Sequence, residues 1–156
     1  RLGWMVLPDD LVDPVIEAAG GEQFFVDAIN QLTMADFISS GQYDRHIRKM
    51  RTRYRRRRDS LVDALAEFDI GISGLAAGVN VLLTLPEGSE HEVLRRAGEA
   101  GIGLQGLSRM RHPAAEGPNR DGIVVGFAAP AEHAFAPAVE ALCGVLRSSG
   151  LARVPD

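Results

Sequence analysis

At 156 residues, 46% hydrophobic and 24% charged, the chain is long enough for one buried core and too apolar to stay disordered, because apolar burial offsets the entropy of ordering. Its longest uncharged apolar run falls well short of the ~18 residues a membrane span requires, no signal-peptide pattern is present, and the single cysteine, Cys143, excludes a disulfide framework and points to a reducing compartment. The formal net charge of −4 hides an uneven distribution: nine of the 17 basic residues lie between Arg45 and Arg58 with no acid among them, leaving eight against 21 acids, a net −13, in the rest of the chain.

Leu2 to Leu7 is apolar and closed by Pro8-Asp9-Asp10, which predicts a strand running into a turn. The first residue is not Met and the opening reads as the middle of a strand, so the sequence has the look of a fragment. Residues 9–40 turn helical, with Leu11, Val15 and Ala18 at helical spacing before Gly20-Gly21. A second helix, carrying Phe24, Phe25, Ala28, Ile29, Leu32, Ala35 and Phe37, is so densely apolar that more than one face must be covered; Gly41 closes it.

From Tyr43 to Phe68 the pattern is the clearest helix in the chain, with Ile47, Met50, Tyr54, Leu61 and Leu65 on one stripe and no Gly or Pro to break it. Such a helix is about 37 Å long at 1.5 Å per residue, enough for a strut between two domains. Two short β-like runs follow, Ile70–Ser73 and Val79–Leu85, expected to pair. Ser89 and Glu92 have the spacing of a capping box ahead of a helix over 91–100. Ile102–Leu107 reads as a third strand, 109–121 as a polar loop, Ile123–Ala128 as a fourth strand and the segment after Pro130 as a final helix ended by Gly150. Residues 68–148 thus read β-β-α-β-β-α, a small α+β sandwich with helices on one sheet face.

Few residues suggest chemistry. The basic run is consistent with phosphate binding, but its charges spread around the faces left by the apolar stripe, which favours a solvated, salt-bridged helix. His46, His91, His112 and His133 show no metal-ligand spacing. Ser108 and His112 lack a strained elbow or an orienting acid that would make them nucleophile and base. Cys143 reads as a buried, inert thiol. The only lysine, Lys49, has cationic neighbours but no pocket that would depress its pKa for Schiff-base chemistry.

Arg1-Leu2-Gly3-Trp4 and the run from His46-Ile47-Arg48-Lys49-Met50-Arg51 through Arg53-Tyr54, Arg57-Arg58-Asp59 and Leu61 resemble the C-terminal part of the aminotransferase-like domain of MocR-type transcriptional regulators, a branch of the GntR superfamily. Gln31-Leu32, Ala35-Asp36-Phe37-Ile38, Gly74 to Gly78 and Gly126-Phe127-Ala128 extend the resemblance over most of the chain. It implies an α/β, fold type I pyridoxal-phosphate architecture: residues 1–42 as the end of the large cofactor domain, 43–68 as a connector helix and 69–156 as the small C-terminal domain. By the same resemblance Arg1 would bind the cofactor phosphate, as a guanidinium suits, while Arg109 or Arg111 would clamp the carboxylate of an amino-acid or amine ligand. DNA would be held by an N-terminal winged-helix domain outside this sequence, in a cytoplasmic homodimer. The Schiff-base lysine, the acid paired with the pyridine nitrogen and the stacking aromatic all belong upstream, so these residues alone cannot transaminate. A genuine aminotransferase of the same fold and a stand-alone interaction module remain the alternatives.

Overall fold

A computed structural model describes residues 2–21, 27–74, 78–118 and 120–153. The chain divides into two compact units, Arg1–Met50 and Arg51–Asp156.

In the first unit Leu2 to Pro8 has no regular structure, and Trp4 is 86% exposed. The expected strand is therefore not formed: a strand is held by a neighbour's N–H and C=O groups, and no described segment pairs with this one. Helix α1, Asp9–Ala18, starts with Asp9 and Asp10, whose negative charge suits the positive end of the helix dipole. Helix α2, Ala28–Ser39, is capped by Asp27, whose carboxylate accepts from the Ile29 N–H at 3.0 Å and from the Asn30 amide at 2.7 Å. Gly41, at φ 69°, makes the left-handed turn into the next helix. The coverage expected for α2 is not supplied within the described residues, since Ile29 and Leu32 are more than two-thirds exposed. Phe24 and Phe25 lie outside the described residues.

Helix α3, Gln42–Leu65, is the long helix predicted from the apolar stripe, three residues shorter at its end than read. Within the second unit it buries Arg57, Leu61 and Leu65 at four-residue spacing. Strands β1 (Gly71–Ser73), β2 (Asn80–Thr84), β3 (Gln105–Gly106) and β4 (Gly122–Gly126) form one antiparallel sheet in the order β1-β2-β4-β3. The register sets Val81 opposite Val125 and Leu83 opposite Ile123, and these four side chains are buried. Leu82 and Val124, opposite each other on the other face, are only half-buried. One face thus faces the core, as the two-residue alternation of a half-buried sheet demands. The core adds Leu61 and Leu65 of α3, Val93 and Ala97 of helix α4 (Glu90–Glu99), and Leu142, Val145 and Leu146 of helix α5 (Glu132–Ser148).

The β-β-α-β-β-α reading holds, with two local corrections. The third strand is two residues long rather than six, because the chain turns at Leu107–Met110 into a single 3-10 turn. The capping box at Ser89 does not form. Its hydroxyl donates to the Pro86 carbonyl at 2.6 Å, and the Asp121 carboxylate instead takes the Glu90 N–H at 3.0 Å.

Glu92 is drawn into ion pairs with Arg95 and Arg96 along α4, at 2.7 and 2.5 Å. Hydrogen bonds from Arg95 and then Arg96 lower its carboxyl from 4.5 to about 2. A folded value below the unfolded one means that the pairs stabilise the fold above pH 4.5 and lose that contribution as pH falls toward 2. Glu92→Gln is expected to flatten the decline of the urea midpoint across this window; parallel declines in the two proteins would contradict it.

Cys143 is buried on α5, its thiol 3.7 Å from the Ala64 carbonyl oxygen, and burial pushes its pKa up. The inert thiol read from the sequence is what this environment produces. Ellman's reagent should leave Cys143 unmodified in native protein and titrate one thiol in urea; native-state reaction within seconds would contradict it.

Candidate functional site

The edge of the sheet where β3 meets β4 gathers the polar groups that the sequence scatters over 32 positions. Pairing of Gly106 with Ile123 brings the 3-10 turn beside the start of β4. Glu90, in the first turn of α4, points its carboxylate into this junction at 6% exposure. It accepts from the Ser108 N–H at 3.2 Å, the Ser108 hydroxyl at 2.5 Å and the Gly122 N–H at 3.0 Å. A buried carboxylate is tolerated only with such donors around it. Asp121 completes the knot: its carboxylate holds the Glu90 N–H, and its backbone carbonyl accepts from Leu85 N–H at 3.0 Å. Gly106 is required because a Cβ there would lie 2.1 Å from Glu90 Oε1. Sequence reasoning missed Glu90. The available signals were an acid in the first turn of a helix and two glycines, 106 and 122, flanking a polar loop.

The two arginines singled out for a ligand carboxylate are used differently. Arg111 donates to the carbonyls of Ala115, Gly117 and Pro118 at 2.9, 2.6 and 2.9 Å, which closes its own loop. Arg109, one residue beyond Ser108, is exposed and has no hydrogen-bond or ion-pair partner among the described residues. Arg1 lies outside the described residues. The Ser108 hydroxyl is committed to Glu90, while His112 Nδ1 accepts from the Ala114 N–H at 3.1 Å, so the two do not form a nucleophile–base pair.

The basic run also resolves residue by residue. Arg45, Arg48, Lys49, Arg51, Arg55 and Arg56 are exposed, as a solvated helix face requires. Arg57 is the exception and a correction: it is 3% exposed and donates to the carbonyls of Phe127 and Ala128 at 3.3 and 3.1 Å and to Glu132 at 3.0 Å, with its guanidinium 4.8 Å from the Phe135 ring centre. Arg53 pairs with the same Glu132 carboxylate at 2.7 Å, and the two guanidinium groups hold that carboxyl below its usual range against the opposing effect of desolvation. Beside this anchor, a cavity of about 230 Å³ is lined by apolar groups, among them Ile102, Leu104, Phe127, Phe135 and Val139.

A pyridoxal-phosphate site needs a desolvated lysine and a convergent phosphate cradle. Lys49 is exposed on α3, and no described cluster supplies the cradle. The described residues therefore do not fit a whole cofactor site, and no reaction step is assigned to them. Among the described residues no helix is long and apolar enough to cross a membrane.

No family model matches the chain. It is 33% identical over 113 residues to the uncharacterized HTH-type transcriptional regulator YhdI of Bacillus subtilis, covering 69% of this chain and 24% of that protein. A second such regulator of the same organism, YdeL, is 31% identical over 140 residues, covering 85% of this chain and 29% of YdeL. The probable rhizopine catabolism regulatory protein MocR of Rhizobium meliloti is 29% identical over 133 residues, with 82% and 26% covered. The chain thus spans about a quarter of the length of the curated relatives it matches. Among solved structures, the kynurenine aminotransferase of Pyrococcus horikoshii matches with a TM-score of 0.58 at 21% identity, over 72% of this chain and 28% of that one. At that identity the likeness establishes the fold.

Proposed function

Since the chain is homologous to HTH-type transcriptional regulators of the MocR type and has the fold of part of a fold type I aminotransferase, we propose that it serves as the C-terminal part of a ligand-sensing, aminotransferase-like domain in a transcriptional regulator. The observation that carries this reading is that regulators match 69–85% of the chain while the fold is that of an aminotransferase. In this reading residues 1–42 complete a large pyridoxal-phosphate domain, 43–68 connect, and 69–156 form the small domain. Arg1 holds the cofactor phosphate by paired charge-assisted hydrogen bonds, and an arginine after β3, Arg109 or Arg111, receives the carboxylate of an amino compound. The cofactor, when bound, supplies the aldehyde that captures an amine. A winged-helix domain outside these residues holds DNA, and the protein acts as a homodimer.

Arg1→Ala in the intact protein tests the cofactor part. Dialysis should strip the visible cofactor absorbance from the variant at least tenfold faster than from the parent. Equal retention would remove Arg1 from the site.

A further inference from the structure

We infer that Glu90 is a positioning residue that fixes the 3-10 turn Leu107–Met110 so that Arg109, and not Arg111, presents its guanidinium to a ligand carboxylate. The inference rests on the proposed reading of the small domain as the carboxylate-receiving side. Three observations carry it. The Glu90 carboxylate is buried and takes both the backbone N–H and the hydroxyl of Ser108, the residue immediately before Arg109. The same carboxylate takes the Gly122 N–H, so the turn is tied to the start of β4 and to α4 through one side chain. Arg111 has three backbone carbonyls on its guanidinium and is committed to the loop, whereas Arg109 stands exposed with no partner among the described residues.

The chemistry is that of preorganisation. An arginine on a free loop would have to be ordered when an anion arrives, and that cost would be subtracted from its affinity. Glu90 orders the turn beforehand, with bonds that the ligand does not touch. The partner implied is a carboxylate, because a planar guanidinium donates two parallel N–H bonds to the two oxygens of such a group.

The test uses arginine-selective isotope labelling of the intact protein and acetate as the probe, following the Nε–H signals of Arg109 and Arg111 by two-dimensional NMR. The signals are assigned by their loss in Arg109→Lys and Arg111→Lys. The Arg109 signal should shift and saturate with acetate while Arg111 stays still. Glu90→Gln should raise the acetate concentration at half-saturation about tenfold, the equivalent of losing one hydrogen bond's worth of ordering. Ser108→Ala, which removes one bond and no charge, should move it in the same direction and decides the matter if Glu90→Gln does not fold. A silent Arg109 in the parent protein would overturn the carboxylate reading and this inference with it. An Arg109 that responds equally in the parent and in both variants would overturn the role of Glu90 and leave the reading standing. A response at Arg111 in place of Arg109 would overturn the assignment between the two.

Discussion

Replacing Arg57 by methionine is expected to lower the stability of the intact protein's Arg51–Asp156 unit by about 3 kcal/mol. The side chain is 3% exposed, and its guanidinium is the donor for the Phe127 and Ala128 carbonyls at the point where the chain leaves β4 for α5. Methionine keeps most of the volume but supplies no donor, so two carbonyl groups at the end of the strand lose their partner, at roughly 1–3 kcal/mol for each that stays buried. The contact with the Phe135 ring, worth about 0.5–2 kcal/mol where desolvated, goes too. Arg57→Lys should not restore the loss, because a single ammonium cannot reach two carbonyls and Glu132 with the geometry of a planar fork. Glu132→Gln should leave stability close to that of the parent, since the Glu132 side chain is 74% exposed and its ion pairs are screened by solvent. Urea unfolding followed by circular dichroism reads all three. Coincident curves for parent and Arg57→Met would show that the buried guanidinium is not the anchor described.

Gly122→Ala should cost about 2–3 kcal/mol, the range of overpacking at a position that cannot relax. A Cβ at this residue would come within 2.8 Å of the Leu83 carbonyl oxygen and 2.7 Å of Leu107 Cδ1. Leucine 107 can swing aside, but the Leu83 oxygen belongs to the β2 backbone, in register with Ile123 next door, and moves only if the ladder opens. Because the Gly122 N–H also serves the Glu90 carboxylate, displacement of the backbone loosens the junction that orders the 3-10 turn. For a unit of this size the thermal midpoint should fall by roughly 10 °C, and amide exchange at Ser108 should speed up more than at Val93 in the helix core. An unchanged midpoint would mean that β4 accommodates the methyl group and that the close approach is not binding.

The helices and the central strands were readable because their signals are local. The four-residue stripe Arg57, Leu61, Leu65 and the alternation Val81, Leu83 against Ile123, Val125 follow from which side chains avoid water, and each segment reports it by itself. The failures share a different cause. Ser89 with Glu92 satisfies the capping pattern, but Asp121, distant in sequence and near in space, is the better acceptor for the Glu90 N–H, and Arg95 and Arg96 compete for Glu92. Arg57 sits among eight other basic residues that look the same in composition, and only the end of β4 distinguishes it. Leu2 to Leu7 has the composition of a strand, yet pairing needs a neighbour. At the candidate site the sequence indicated the loop and its two arginines; which of them is committed to the loop depends on carbonyls of Ala115, Gly117 and Pro118 that no residue pattern encodes.

The central claim, that these residues complete a sensor and not a catalyst, is tested most directly with the intact protein loaded with pyridoxal phosphate. Binding to a DNA fragment from upstream of its own gene is measured by fluorescence anisotropy while amino donors and 2-oxo acids are added and followed for conversion. The account predicts sequence-specific DNA binding whose affinity changes at least fivefold with an amino ligand, a coupling of about 1 kcal/mol, without sustained turnover. Steady conversion of amino acid and 2-oxo acid over many cycles, with no specific DNA binding, would contradict it.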